Sequence, residues 1–284
     1  MNYLSFSTTE SWDAVEGFGC ASLGLPGFCD NIRTYPVQLD SVALTGSYAE
    51  ILAQAKAAAE KCNVLAAIVV FGNAGGENAF LKDLQRIISC PMVGGGAAID
   101  AATGRSGLIP GGGPGAVLLI TDDRFTYEAK TECIHDVIME ECVIEMADPR
   151  TIQKINGVDA AIYLENKKRD LGLDVNDFEH LTLSDSKNVN AHLSCVDCVI
   201  KSGRDLEEKM ILRYVPHDTV YERMYNFYND PDAIVFGCAG LSGLLDKPLN
   251  TPSLGLFLFG EVCTVDGIAE FGNLMLSKLV IQPK

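Results

Sequence analysis

The sequence predicts an α/β fold made of two similar subdomains whose sheets are covered by helices, and three observations predict it. Apolar segments of strand length recur, unbroken at Val64–Phe71 and also at Ala116–Thr121, Ala233–Gly237 and Leu274–Ile281. Such runs suit strands buried on both faces. Segments with helical spacing precede several of them. Two stretches about 165 residues apart carry the same features in the same order, which predicts an internal duplication.

The elements follow in chain order. Thr45–Lys61 has apolar residues at helical spacing, with Ser47 placed to cap it. Glu77–Ile88 gathers Phe80, Leu81, Leu84, Ile87 and Ile88 on one face, a second helix. Between Gly94 and Gly115 there are nine glycines, so this stretch reads as loop. It lacks the Gly-Lys-Ser/Thr ending of a phosphate-binding loop. Beyond Asp122 the texture changes. Cys142–Ala147 and Thr151–Ile155 read as a hairpin around Asp148-Pro149. Short helices are expected at Asp159–Asn166 and Asp174–Leu181, and strands at Leu193–Lys201 and Lys209–Val215. Asp218 is placed to cap a helix over Thr219–Tyr228. The boundary between subdomains falls near residues 122–130, giving units 1–125 and 126–284.

The repeat pairs Ala67-Ile-Val-Val-Phe-Gly-Asn-Ala-Gly75 with Ala233-Ile-Val-Phe-Gly-Cys-Ala-Gly240. A Pro-x-x-Gly step follows in both copies, Pro91–Gly94 and Pro252–Gly255, and then an acid, Asp100 or Glu261. Two such units packed together would turn their Gly-rich loops and acids toward a shared cleft.

Composition excludes several classes. The net charge of -16 is spread along the chain and opposes binding to nucleic acid or anionic membrane. No basic start followed by an apolar run opens the chain, and no apolar run reaches membrane-spanning length, so a soluble cytoplasmic protein is expected. Ten cysteines in a chain with 48% hydrophobic residues are expected to be mostly reduced and buried. The one close pair, Cys195-Val-Asp-Cys198, has no second pair to complete a zinc site and reads as part of a strand.

The motifs of the second half resemble the FIST C-terminal domain. The resemblance rests on Phe236-Gly-Cys238, on Gly255-Leu-Phe-Leu-Phe-Gly-Glu-Val262 and on Asn273-Leu-Met-Leu276. Pro149–Gly157 with Ala161-Ile-Tyr163, and Val215-Pro-His-Asp-Thr-Val220, add to it. The first half is similar to the FIST N-terminal domain through strand 64–71 and the step Pro91–Asp100. The chain has Leu241 where that family commonly has Arg, and leucines in place of its tyrosines near Glu261. The resemblance implies a sensory module for a small ligand such as an amino acid, with any output passed to a separate signalling protein.

The residues expected to line the cleft are Asn73, Gly94, Asp100, Cys238, Gly240, Glu261 and Asn273. The acids would anchor an ammonium group and the turn amides a carboxylate. The cofactor is left unknown, and His135 is the best placed of four histidines for a haem iron. The alternative is a cysteine-dependent or hydrolytic enzyme with Cys238 as nucleophile and Glu261 as acid or orienter, which would need a histidine within reach; further alternatives are a haem-binding sensor and a ligand-free interaction scaffold, the latter with a large exposed apolar patch.

Overall fold

The structure, a computed structural model, describes residues 5–6, 39–71, 75–96, 108–109, 115–242, 244–245 and 254–284. Asn73, Asp100 and most of the glycine-rich segment lie outside the described residues.

The chain is mixed α/β, with strands predominating. The first sheet has six strands. At its centre Ala66–Phe71 pairs in parallel with Met92–Gly96 and antiparallel with Gly115–Ile120, and Ser41–Gly46 lies antiparallel beyond the latter. The second sheet has four. Its Ala233–Cys238 pairs in parallel with Leu254–Leu258 and antiparallel with Met275–Pro283, and Phe125–Cys133 lies antiparallel beyond. The strands flanking 66–71 and 233–238 thus have the same order and the same directions.

Alternation within strand 66–71 sorts its side chains between two cores. Ala66, Ile68 and Val70 share a buried cluster with Ile234, Phe236, Leu258, Leu279 and Ile281, which packs the two sheets face to face. Ala67, Val69 and Phe71 share another with Ile51 and Ala55 of helix Tyr48–Ala59 and with Phe80, Leu81 and Leu84 of helix Glu77–Ile87. An aromatic group closes that core: Tyr48 stacks on Phe80 at 4.5 Å, and Phe71 meets Phe271 edge-on at 5.6 Å. On the second sheet's far face, Val235, Leu276 and Val280 cluster with Val220, Met224 and Tyr228 of helix His217–Tyr228.

Ser47 and Glu50 form the reciprocal cap of the first helix. The second strand of the CxxC region departs from the expected single strand. Leu193–Val196 and Val199–Ser202 pair as a hairpin, and its two turn residues, Asp197 and Cys198, have φ of 50° and 62°. A two-residue turn needs both in the left-handed region, which Asp tolerates. The segment 174–180 is not the expected helix. Asp174 Oδ1 accepts from the Asn176 amide at 2.8 Å, and Asp177 Oδ1 from the His180 amide at 3.0 Å. These local bonds compete with helical ones. The helix before it runs on to Leu171, past the expected end, and stops at Gly172 with φ 70°. Asp218 does not cap helix His217–Tyr228, whose N-cap is Pro216.

The chain between the first two sheets' shared elements builds a third sheet, of eight strands, with helix Ala160–Leu171 packed on it. It is centred on Val137–Asp148, Thr151–Ile155 and Lys209–Tyr214. Its tie to the first sheet's helix 77–87 is a buried carboxylate, Glu77, 3.0 Å from Arg150, which also holds Asp205.

The two expected units are also interwoven. Glu261–Val265 and Ile268–Gly272 form a hairpin that joins the first sheet, pairing Glu261 with Gly95 and Val262 with Gly94. Gly94 has φ of +135°, and a Cβ there would lie 1.9 Å from the Val69 carbonyl oxygen. A Cβ on Gly95 would lie 2.1 Å from the Gly260 carbonyl oxygen. The expected cleft residue Gly94 is therefore a packing residue inside the sheet. Gly94→Ala should destabilise the fold by about 4 kcal/mol or more, through clash and backbone strain together. Chemical denaturation of the variant checks this, and a loss under 1 kcal/mol (about the usual surface effect) would contradict it.

Candidate functional site

Cys238 ends a strand buried along its whole length, and the chain then turns through Gly240. Glu261 opens the neighbouring hairpin and is completely buried. Its Oε2 accepts the Met275 amide at 3.1 Å, and its Oε1 has no hydrogen-bond partner. Asn273 follows that hairpin, with its amide side chain between two glycines: a Cβ on Gly203 would lie 2.6 Å from Oδ1, and one on Gly260 2.6 Å from Nδ2. Gly240 adjoins Cys238 Sγ, and a Cβ there would press on Leu274 at 2.9 Å. Of the seven expected site residues, Cys238, Gly240, Glu261 and Asn273 are brought together, with Gly94 behind them in the sheet. Asn73 and Asp100 lie outside the described residues.

This place is a seam between the third sheet and the other two, and Asn190 holds it. Its Nδ2 donates to the Leu274 carbonyl at 3.3 Å and faces Cys133 Sγ at 3.2 Å and His135 Nδ1 at 3.3 Å. Its Oδ1 accepts from Ser184 Oγ at 2.5 Å, and its backbone carbonyl accepts the Asn273 amide at 2.9 Å. Leu274, buried and at φ +54°, is held between these bonds in a conformation that a bulky residue rarely adopts.

Sequence reasoning missed the residues that the third sheet brings to the seam. Glu179 packs over Gly240, with its Cγ 3.6 Å from where a Cβ would be. His192 Nε2 lies 3.7 Å from Glu179 Oε1 and holds that carboxyl below its usual pKa. His180 Nδ1 lies 2.6 Å from Asp177 Oδ2, and its Nε2 is buried without a partner. No motif marks these residues, because they come from two separate connections between strands of the third sheet.

The electrostatics correct two expectations. Burial pushes the Glu261 carboxyl well above the usual carboxylate pKa, against the pull of the Met275 amide and the Cys238 thiol. An un-ionised carboxyl is a hydrogen-bonding group and no charged anchor for an ammonium. Burial, and then the Glu261 carboxyl, raise the Cys238 thiol far above its ordinary pKa, although the amides of Leu274, Gly240 and Gly260 oppose them. A nucleophilic cysteine needs the thiolate. His135 is also committed elsewhere. It is fully buried, its Nε2 donates to the Glu179 carbonyl at 2.7 Å, and its Nδ1 accepts from Asn190. Burial draws its pKa down to about 4, so it is neutral at pH 7 with neither nitrogen open to a haem iron or to Cys238.

Among the described residues the buried polar side-chain atoms without a hydrogen-bond partner are Tyr48 Oη, His180 Nε2, His192 Nε2, which is within ion-pair reach of Glu179, Arg204 Nε, Arg213 Nε, Glu261 Oε1 and Asn273 Oδ1. All but Tyr48 belong to the third sheet and its connections or to the hairpin end they pack on. Buried polar atoms are nearly always hydrogen-bonded, so their concentration here marks a place built to take further polar groups. Among the described residues no group of three or more His, Cys, Asp or Glu is arranged to hold a metal ion, and no helix is long and apolar enough to cross a membrane. No protein-family model matches the chain, and a search of curated proteins finds no match.

Two outcomes are expected. Asn190→Ala should cost about 3 kcal/mol, because it strips partners from several buried groups at once; equilibrium unfolding measures it, and a cost near zero would show that the seam does not depend on this residue. In the native protein a thiol reagent at neutral pH should label the exposed Cys195 and Cys198 and spare the buried Cys238. Peptide mapping reads the order, and early labelling of Cys238 would revive the hydrolytic alternative.

Proposed function

We propose that this chain is a FIST-type sensory protein that binds a small metabolite at the seam around Cys238, Gly240, Glu261 and Asn273. The observation that carries the reading is the group of unpartnered buried polar atoms there, Glu261 Oε1 and Asn273 Oδ1 foremost. An empty hydrogen-bonding position on a buried carboxyl costs free energy unless something fills it. A un-ionised Glu261 offers an O–H donor, and Asn273 Oδ1 an acceptor. The ligand in this reading presents a neutral polar edge to that pair, as an amide or the backbone of an amino acid does. The matching strand order around 66–71 and 233–238 supports descent from one duplicated unit. Signal output then passes to a separate protein, through movement of the third sheet against the seam.

A thermal-shift screen of the full chain with amino acids, nucleotides and haem tests this. A ligand at a hundredfold excess over its Kd should stabilise the fold by ~3 kcal/mol. Glu261→Gln keeps a neutral donor and should hold affinity within a few fold. Asn273→Ala and Glu261→Leu should each weaken it by about tenfold or more, the loss of one buried hydrogen bond. Unchanged affinity in both would place the ligand elsewhere.

A further inference from the structure

Four cationic side chains are buried among the described residues: Lys168, Arg204, Arg213 and Lys278. Arg204 pairs with Asp185 at 3.0 Å, and Lys278 with Asp230 at 3.0 Å. Lys168 donates to the Val175 carbonyl at 2.7 Å, and burial draws its pKa down to about 8, so it sheds its proton readily. Arg213 has neither remedy. It is 8% exposed, no carboxylate of the described residues pairs with it, and a guanidinium stays charged. In a chain of net charge -16, a buried cation without an acid is a specific arrangement.

Its three nitrogens are used unequally. Nη1 donates to the His135 carbonyl at 3.3 Å, Nη2 donates to Asn188 Oδ1, and Nε has no acceptor. The Nε and Nη2 hydrogens lie along one edge of the guanidinium and together match the two oxygens of a carboxylate. Half of that fork is empty, and the other half is filled by a neutral amide oxygen. Asn188 is an exposed residue at a turn, with φ of +64°. It can swing away without disturbing the core. A break in pairing register at Leu212/Arg213 turns the strand just there, a device that re-aims side chains near binding sites. Arg213 is paired across the strands with Ile138, which is 61% exposed beside Val137 at 41%. Side chains alternate along a strand, so Ile138, and not Val137, lies on the face of Arg213, and one exposed apolar side chain stands beside the cation.

We propose that Arg213 is the anchor of a carboxylate-binding site, whose ligand is a monocarboxylate carrying a short apolar group, with Asn188 Oδ1 holding the carboxylate's place in the free protein. The identification of a metabolite rests on the sensory reading above. The charge deficit at Arg213 is tested without any ligand.

Asn188→Asp puts a carboxylate on the fork from within the chain. It lies on the surface, so the variant should fold. It should melt about 4–8 °C higher than the parent at pH 7, the shift that about 1 kcal/mol gives a small domain, and lose that gain progressively as pH falls below about 5, because a carboxylate held by a guanidinium protonates only below its free pKa. An unchanged or lower melting temperature at pH 7 would show that Arg213 has no need of an anion. The second arm uses sodium hexanoate as probe, with hexanamide and inorganic phosphate as controls, on the full chain. Hexanoate should stabilise the parent and bind Asn188→Asp and Arg213→Gln about tenfold more weakly or worse, the cost of one charged fork. Stabilisation by hexanamide equal to that by hexanoate, or a stronger response to phosphate, would overturn the assignment. No stabilisation of the parent by hexanoate, with Glu261→Leu and Asn273→Ala still weakening the ligand of the seam, would remove this site alone.

Discussion

A strand that is apolar on both faces has to be covered on both faces, and this requirement organises the molecule. Strand 66–71 meets it with the second sheet on one side and two helices on the other. Strand 233–238 meets it with the first sheet and helix 217–228. Burying each such side chain contributes roughly 1.5–3 kcal/mol, so the doubly covered strands dominate the folding free energy. Most buried polar groups are then displaced to the strand ends and to the third sheet, Ser277 and Lys278 within strand 275–283 being exceptions. The seam is where these displaced groups meet.

Much of this was legible from residue pattern. Val64–Phe71 and Ala233–Gly237 announce themselves by unbroken apolarity, and helix 48–59 by its spacing and the Ser47 cap. The repeat placed 66–71 and 233–238 as counterparts, and they sit in like surroundings. What pattern could not show was register and crossing. Nothing local says that Glu261–Val265 leaves its own half to pair with Met92–Gly96. The glycines at 94 and 95 carry that information only in hindsight, since they leave room for a backbone that approaches from far along the chain. The 174–180 loop failed for another reason: aspartates that look acceptable in a short helix bind nearby amides instead.

The candidate site was half legible. Cys238, Gly240, Glu261 and Asn273 do converge, because strand ends and turns gather at one edge of a sheet. Their chemistry was misjudged from sequence, where a glutamate is assumed charged. Zero exposure, opposed only by the Met275 amide and the Cys238 thiol, reverses that assumption for Glu261. Arg213 carried no signal in the sequence. It lies in Lys209–Tyr214, an ordinary amphipathic strand by sequence, and only its burial with Nε unpartnered distinguishes it. The charges that matter here are set by what surrounds a residue, and the surroundings come from four separate stretches of chain.

The returning hairpin has a consequence for how the protein is made. Gly95 pairs with Glu261, 166 positions later in the sequence. A ribosome adds about 5–20 residues each second, so strand 92–96 waits roughly 10–30 s for its neighbour to emerge. Through that interval its glycine-rich edge is unpaired, the kind of edge on which other chains assemble. The run Gly94-Gly95-Gly96 offers no side chains with which a foreign strand could interdigitate, so the spacing that the finished sheet requires also makes a poor template while the nascent chain is waiting.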